Sequence, residues 1–403
     1  MFNNKKIRAG IAWLLAIFLL VPLTGCGGEG LDIIDEIINS STGSHGGLQI
    51  AGKNTDYKEP QRKSLYYLEL DEVSKRIYDA AYTAQSKEEN EFTITGIELT
   101  PDCDSYAYTL TLFINDHPEF FWLNGYVEIS TTRMSNSDNG NMTVTLGAYE
   151  YWNNNDIKKA KGELEDALES VVAQAKEISD EYEKIKFVHD YIIEFNTYDF
   201  EAYELGDSVD AETDARVSSA YGALVLGDVM CAGYTRAFDL VMHELGYESF
   251  YVSGATKSGS HAWNLLKIGE DFYHIDLTWD DLDGDPAEVR YNYFCLTDEE
   301  ITKTHSVDKG IAYPKANATE YNYFVRKEML LDYYSFAAVT KLAKKYDGSG
   351  VFAFKCYDAK VMADAVEELV NNNMIFKLAE FKNVESFQYL TDDEANVLTF
   401  YIE

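Results

Sequence analysis

Three side chains in this sequence are suited to moving an acyl group: the cysteine at 231, the histidine at 261 and the aspartate at 276. A thiolate is a strong nucleophile near neutral pH. An imidazole can take its proton and return it, and a carboxylate can hold that imidazole in one tautomer. Cys231 lies in DVMCAGYTRAFDLVMHELG, residues 228–246. Tyr234, Phe238, Val241 and Leu245 recur there at helical spacing, Asp228 can cap the start, and Gly246 ends the run. Cys231 then falls in the first turn. The helix dipole and the backbone N–H groups there favour thiolate over thiol and could hold a developing oxyanion. Taken alone, a cysteine buried as a small apolar side chain remains the commoner use of the residue.

The partners come from SHAWNLLKIGEDFYHIDLTWDD, which reads as two strands around Gly269 and Glu270. If those two residues form the turn, Ile268 pairs with Asp271 and His261 falls opposite Thr278. Asp276, two residues from Thr278, then lies on the same sheet face, diagonal to His261. Such neighbours are about 7–8 Å apart at Cα, close enough for side chains to meet. A three-residue loop would put them on opposite faces. An aspartate in the otherwise apolar FYHIDL needs a partner if buried. His274 is a rival base, and His243, within the cysteine helix, reads as surface or packing.

The surrounding elements must position these groups. LYYLELDEVSKRIYDAAYTA has helical spacing, FTITGIEL alternates like a strand, and VEISTTRM and MTVTLGAYEYW form a hairpin across SNSDNGN. Together these make an N-terminal α+β module over 61–155. Two amphipathic helices follow, IKKAKGELEDALESVVAQAKEI and EKIKFVHDYIIEFNTYD; His189 on the second reads as a packing residue. From about 320, helix-like FAAVTKLAKKY, strand-like GVFAFKCY and helix-like AKVMADAVEELVNNN precede MIFKLAEF and VLTFYIE. That alternation of β and α reads as a small C-terminal α/β module over 320–403. The fold class is α+β.

The cysteine helix, HAWN about 30 residues on and YHIDLTWDD a further 15 on resemble the transglutaminase-like superfamily, which has a papain-like core. The resemblance covers roughly 180–300, with SSAYGALVLGDVMCAGYTRAF before the helix and YNYFCLTDEEI after the second strand; the domain that holds it is read as 156–310. It implies Cys231 as nucleophile, His261 as general base and acid, and Asp276 as the group that orients the imidazole. The backbone N–H of Cys231 would form part of an oxyanion hole. Tyr221 is the candidate for its second donor, and Trp263 and Trp279 are candidates to line the site and shield the pair from water. The implied reaction is acyl transfer on amide bonds of proteins or peptides, with no cofactor and no metal. Hydrolysis is favoured over crosslinking. Asp280, Asp281, Asp283 and Asp285 in WDDLDGDP look like a calcium loop, but the glycine comes one residue early and no glutamate follows, so they read as an acidic turn.

The first segment is read apart from the fold. Lys5, Lys6 and Arg8 precede the apolar run IAWLLAIFLLVPL, which ends in Leu23-Thr24-Gly25-Cys26. This resembles the lipobox of bacterial lipoproteins: 1–25 as a signal peptide, Cys26 lipidated, and 26–60, rich in Gly, Ser, Asn and Asp, as a flexible tether. Acyl chains would hold the protein at the outer face of the cell membrane by about 0.8 kcal/mol per buried CH₂. Loss of the three cations takes the formal charge from −35 to −38, which argues against nucleic acid as a partner. A protein or peptide substrate outside the cell is the expected partner. Cys103, Cys295 and Cys356 are scattered at spacings that suggest neither zinc nor a disulfide framework. The alternative is a non-catalytic lipoprotein that keeps the fold and binds envelope or carbohydrate.

Overall fold

A computed structural model of the chain describes residues 48–50, 64–99, 104–134, 137–153, 155–282, 288–309 and 311–402. The export signal, Cys26, nearly all of the tether, Cys103, Asp283 and Asp285 lie outside them. The chief elements are β1 (Leu48–Ile50), α1 (Glu72–Gln85), β2 (Glu91–Glu98), α2 (Asp104–Asp116), β3 (Leu123–Arg133), β4 (Asn139–Ala148), α3 (Ile157–Lys176) and α4 (Glu181–Phe195). There follow α5 (Cys231–Glu244), β5 (Glu248–Thr256), β6 (Gly259–Ile268), β7 (Asp271–Ile275), α6 (Leu277–Asp280) and β8 (Ser306–Val307). Beyond these come β9 (Leu330–Leu331), α7 (Phe336–Ala343), β10 (Val351–Cys356), α8 (Ala359–Val366), β11 (Phe387–Asp392) and β12 (Val397–Ile402). Among the described residues no helix is long and apolar enough to cross a membrane.

These residues divide into two compact units. One holds the residues up to 178 together with 195–251; the other holds 179–194 and the residues from 252 onward. The division runs through 156–310, the stretch read from sequence as one domain. Helix α4 goes with the second unit because its buried face is packed there: the Tyr182 ring meets Phe294 edge-on at 6.0 Å, and the His189 ring meets the same phenylalanine at 5.0 Å.

In the first unit a four-stranded sheet runs in the order β1-β2-β4-β3, with β2, β4 and β3 antiparallel. Strand β4 alternates so that Met142, Val144 and Leu146 are buried, as one covered face requires. Helix α1 starts at Asp71, whose side chain accepts from Ser74 N, and buries Ile77, Tyr78 and Ala81. Helix α5 buries Tyr234, Phe238 and Val241, each contributing about 1.5–3 kcal/mol relative to exposure.

In the second unit one sheet has the order β8-β5-β6-β7, with the residues of β5 from 252 on belonging to this unit. The β6–β7 register is Ile268 with Asp271 through Asn264 with Ile275. Gly269 turns it at φ 61°, a conformation glycine adopts without strain. A second sheet, β9-β10-β12-β11, encloses with α7 and α8 a core that includes Val339, Phe352, Phe354, Leu369 and Phe400. MIFKLAEF forms two short 3₁₀ turns, Met374–Lys377 and Ala379–Phe381. Its apolar residues Ile375, Leu378 and Phe381 are buried at a spacing of three, the period of that turn. The strand beside β12 is FQYLTD instead.

Candidate active site

Helix α5 begins at Cys231, which is half-buried. The expected cap at Asp228 is not formed. Met230 is the N-cap, with no side-chain hydrogen bond to the first turn. Asp228 sits at φ 57° just after Gly227 at φ 78°, and Arg216 donates to its carbonyl. The chain has to reverse there because Val229 is laid beside Tyr198, with Val229 N donating to Thr197 O and Asp199 N to Val229 O, both at 3.1 Å. Met230 N then donates to Val217 O at 2.8 Å. Gly233 completes this placement, since a Cβ there would lie 2.7 Å from Val229 Cβ and 2.9 Å from Val217 O. Arg236, one turn on, is within electrostatic reach of the Cys231 sulfur. It also donates to Ser218 O and lies over the Tyr251 ring at 5.2 Å. Its spacing of five from Cys231 gave no sequence signal.

Tyr221 lies in the same unit, at the start of a π-helical turn over Gly222–Leu226. Its phenol donates to Glu163 Oε2 at 2.8 Å and its ring stacks on Phe121 at 5.1 Å. Burial and the Glu163 carboxylate both raise the phenol's pKa well above its usual value. The donor considered for an oxyanion is thus engaged by a carboxylate. Gly222 permits the turn, since a Cβ there would sit 1.9 Å from Arg216 O.

The second unit carries the imidazole and the acid. His261 is on β6. Strand β7 ends at Ile275, and Asp276 caps α6 instead of extending the ladder to Thr278. His261 Nε2 nevertheless lies 2.7 Å from Asp276 Oδ2, with side-chain exposures of 7% and 1%. Asp276 Oδ1 accepts from Trp279 N at 3.2 Å. Burial pushes the Asp276 carboxyl up, but His261 and His305 outweigh it and hold it well below the usual carboxylate range. The imidazole is therefore held through Nε2.

His305 is the residue that sequence reasoning missed. Its Nε2 lies 2.9 Å from the same Asp276 Oδ2, and its Nδ1 lies 2.7 Å from Thr304 Oγ1. Trp279 covers its ring at 4.6 Å and Trp263 meets it edge-on at 4.8 Å. The two tryptophans thus tile the acid's surroundings. Each also lies 6.1 Å from the His261 ring. His274, the rival base, is committed elsewhere: Trp263 Nε1 donates to its Nδ1 at 3.0 Å, and its Nε2 lies 3.1 Å from Asp298 Oδ1. Burial pushes its pKa down. His243, in the first unit, sits at the end of α5 with Nε2 2.7 Å from Ser249 O.

His189 and Asp280 form a second buried array. His189 Nε2 is 3.3 Å from Asp280 Oδ2, neither side chain exposed, and His189 Nδ1 is 3.0 Å from Asp190 Oδ1. Asp280 Oδ1 accepts from Tyr293 N at 2.9 Å. Burial pushes the Asp280 carboxyl up to about 6, against the pull of His189. Burial lowers His189, but Asp190 and Asp280 reverse this and raise it. Asp280 therefore anchors the far end of the turn that Asp276 caps.

His261, Asp276 and His305 each offer one ligand atom, all within 4.8 Å of one another. A tetrahedral metal with bonds of roughly 2.0–2.1 Å would hold its ligand atoms roughly 3.3 Å apart. The N···O separations of 2.7 and 2.9 Å are instead those of direct hydrogen bonds.

No protein-family model matches the chain, and no curated protein matches it. Among solved structures it is similar to a transglutaminase, at 16% identity over 48% of this chain and 52% of that one, with a TM-score of 0.29. It is also similar to a candidate cysteine protease from Cytophaga hutchinsonii, at 13% identity over 38% of this chain and 62% of that one, with a TM-score of 0.23. The chain thus spans about half to three-fifths of the length of these neighbours. The protein is an α+β chain whose structural neighbours are a transglutaminase and a candidate cysteine protease.

Proposed function

We propose that the protein is a cysteine-dependent acyl-transfer enzyme, exported and held at the outer face of the membrane by lipid on Cys26, acting on amide bonds of proteins or peptides. The observation that carries this is the buried His261–Asp276 pair, in which the carboxylate holds Nε2 and leaves Nδ1 to work as base and acid. A cysteine at the first residue of a helix, with Arg236 nearby, supports Cys231 as the nucleophile. The thiolate adds to the amide carbonyl carbon, and the electron pair moves to oxygen, met by the Cys231 backbone N–H. The C–N bond then breaks, and the His261 imidazolium gives its proton to the departing nitrogen. A thioester remains. Water attacks it while His261 takes the water's proton, and the acid and the thiol are restored. Hydrolysis is the favoured outcome; an amine in place of water would give a crosslink.

The test is mass spectrometry of peptide mixtures incubated with wild type and with Cys231→Ala. New peptide termini that appear only with wild type support hydrolysis. Loss of ammonia with lysine bridges would move the assignment to crosslinking. Identical spectra from the two proteins would remove the enzyme reading.

A further inference from the structure

Asp276 Oδ2 serves two imidazoles, and only one of them is needed by the reaction as written. His305 is 3% exposed, and its backbone is set by β8, where Ser306 pairs with Ala255 of β5. Gly254 makes room for this strand, because a Cβ there would lie 2.1 Å from Ser306 O and 2.7 Å from the Trp263 ring. Both nitrogens of His305 are engaged, Nε2 with the carboxylate and Nδ1 with the Thr304 hydroxyl. Nε2 is placed to donate to the carboxylate, and Nδ1 meets the Thr304 hydroxyl, which also lies 3.3 Å from Ile301 O. A residue wanted only for packing between Trp263 and Trp279 would be apolar, since burying an imidazole costs free energy unless its polar atoms are used.

We propose that His305 is a positioning residue for the His261–Asp276 pair: as second donor to Asp276 Oδ2 it fixes the carboxylate and divides its charge between two N–H groups. This rests on the reading of His261 as the base. A carboxylate held by one imidazole can rotate or exchange its oxygens. With two donors on Oδ2 and the Trp279 N–H on Oδ1, its plane is set from three directions. Dividing the charge also keeps the His261 imidazolium from being bound too firmly to give its proton to the leaving nitrogen. Among the described residues, the other titratable groups facing His305 are Tyr293, with its ring at 5.9 Å, and His274.

The experiment is a histidine NMR titration of the full chain, wild type against His305→Phe and His305→Gln, with the pH profile of Cys231 alkylation measured in parallel. Phenylalanine keeps the ring between the tryptophans and removes the donor. The expected result is an upward move of the His261 midpoint by about one pH unit, the size of one lost hydrogen bond to a charged group. The alkylation profile should follow, and glutamine, whose amide N–H can reach the carboxylate, should restore most of it. An unchanged His261 midpoint in folded His305→Phe, or no difference between Phe and Gln, overturns the proposal. Thr304→Val serves if the Phe variant does not fold. It removes the hydroxyl at Nδ1 and should move His261 in the same direction; no movement overturns the proposal. Alkylation of Cys231 that ignores His261→Ala would remove the acyl-transfer reading, while the His261 midpoint still decides the role of His305.

Discussion

Replacing Asp276 should unsettle the second unit more than any other single change at the site. Its carboxylate accepts from His261 at 2.7 Å, from His305 at 2.9 Å and from Trp279 N at 3.2 Å, at 1% side-chain exposure. Alanine leaves two imidazole N–H groups and one helix N–H without an acceptor in a place that water does not reach. A buried donor left unsatisfied costs about 1–3 kcal/mol, and removing one partner of a buried charge array about 3–5 kcal/mol. Losing the cap of α6 belongs to the same event, so the contributions overlap, and the expected loss is about 3–5 kcal/mol. For a cooperative unit of this size that is on the order of 10 °C in melting midpoint. Asparagine keeps one acceptor oxygen and should lose about 2 kcal/mol. The assay is urea unfolding followed by tryptophan fluorescence, since Trp263 and Trp279 report on this region. It also has a pH signature. The folded carboxyl titrates below its unfolded value of 3.8, so it stabilises the fold above that pH, and the contribution is lost as pH falls through and below it. The gap between wild type and Asp276→Asn should therefore narrow in acid. Equal stability of wild type and Asp276→Ala at neutral pH, or a gap that does not narrow, would refute the assignment of Asp276 as the buried charged partner of the two imidazoles.

Three further outcomes are expected. Gly233→Ala, which drives a methyl to 2.7 Å from Val229 Cβ, should destabilise by about 1–3 kcal/mol and slow Cys231 alkylation. Normal melting with normal labelling would show that α5 can shift without loss. Asp280→Asn should flatten stability between pH 4 and 7. Both Asp280, raised from 3.8 to about 6, and His189, raised above 6.5, favour the fold at low pH and lose that contribution as pH rises through their folded values. A mutant whose pH–stability curve parallels that of wild type would contradict this. Tyr221→Phe breaks the bond to Glu163 and should cost about 1 kcal/mol in thermal unfolding. It should leave the acylation rate within about tenfold, since removing a true oxyanion donor costs about 10²–10³; a loss of that larger size would return Tyr221 to the oxyanion hole.

What was legible in the sequence is what short stretches of backbone decide. The two-residue turn at Gly269 and Glu270 fixes which residues of β6 and β7 face one another, because side chains alternate with period two. The apolar spacing of α5 and the stop at Gly246, φ 89°, follow from helix geometry and from glycine's access to positive φ. The partners of these elements were not legible. His305 reaches Asp276 from 29 residues away because β8 joins the sheet at β5, on the edge away from β7. The Tyr221 phenol is taken by Glu163, 58 residues earlier. Asp228 loses its cap position because Val229 is drawn beside Tyr198. His189 read as packing because Asp280, the carboxylate its Nε2 faces, lies far along the chain, beyond α5 and the strands β5 to β7. In each case the local signal permits several partners of similar energy. The choice among them is made when burial removes water and every enclosed polar group must find whichever partner the packed elements bring within reach.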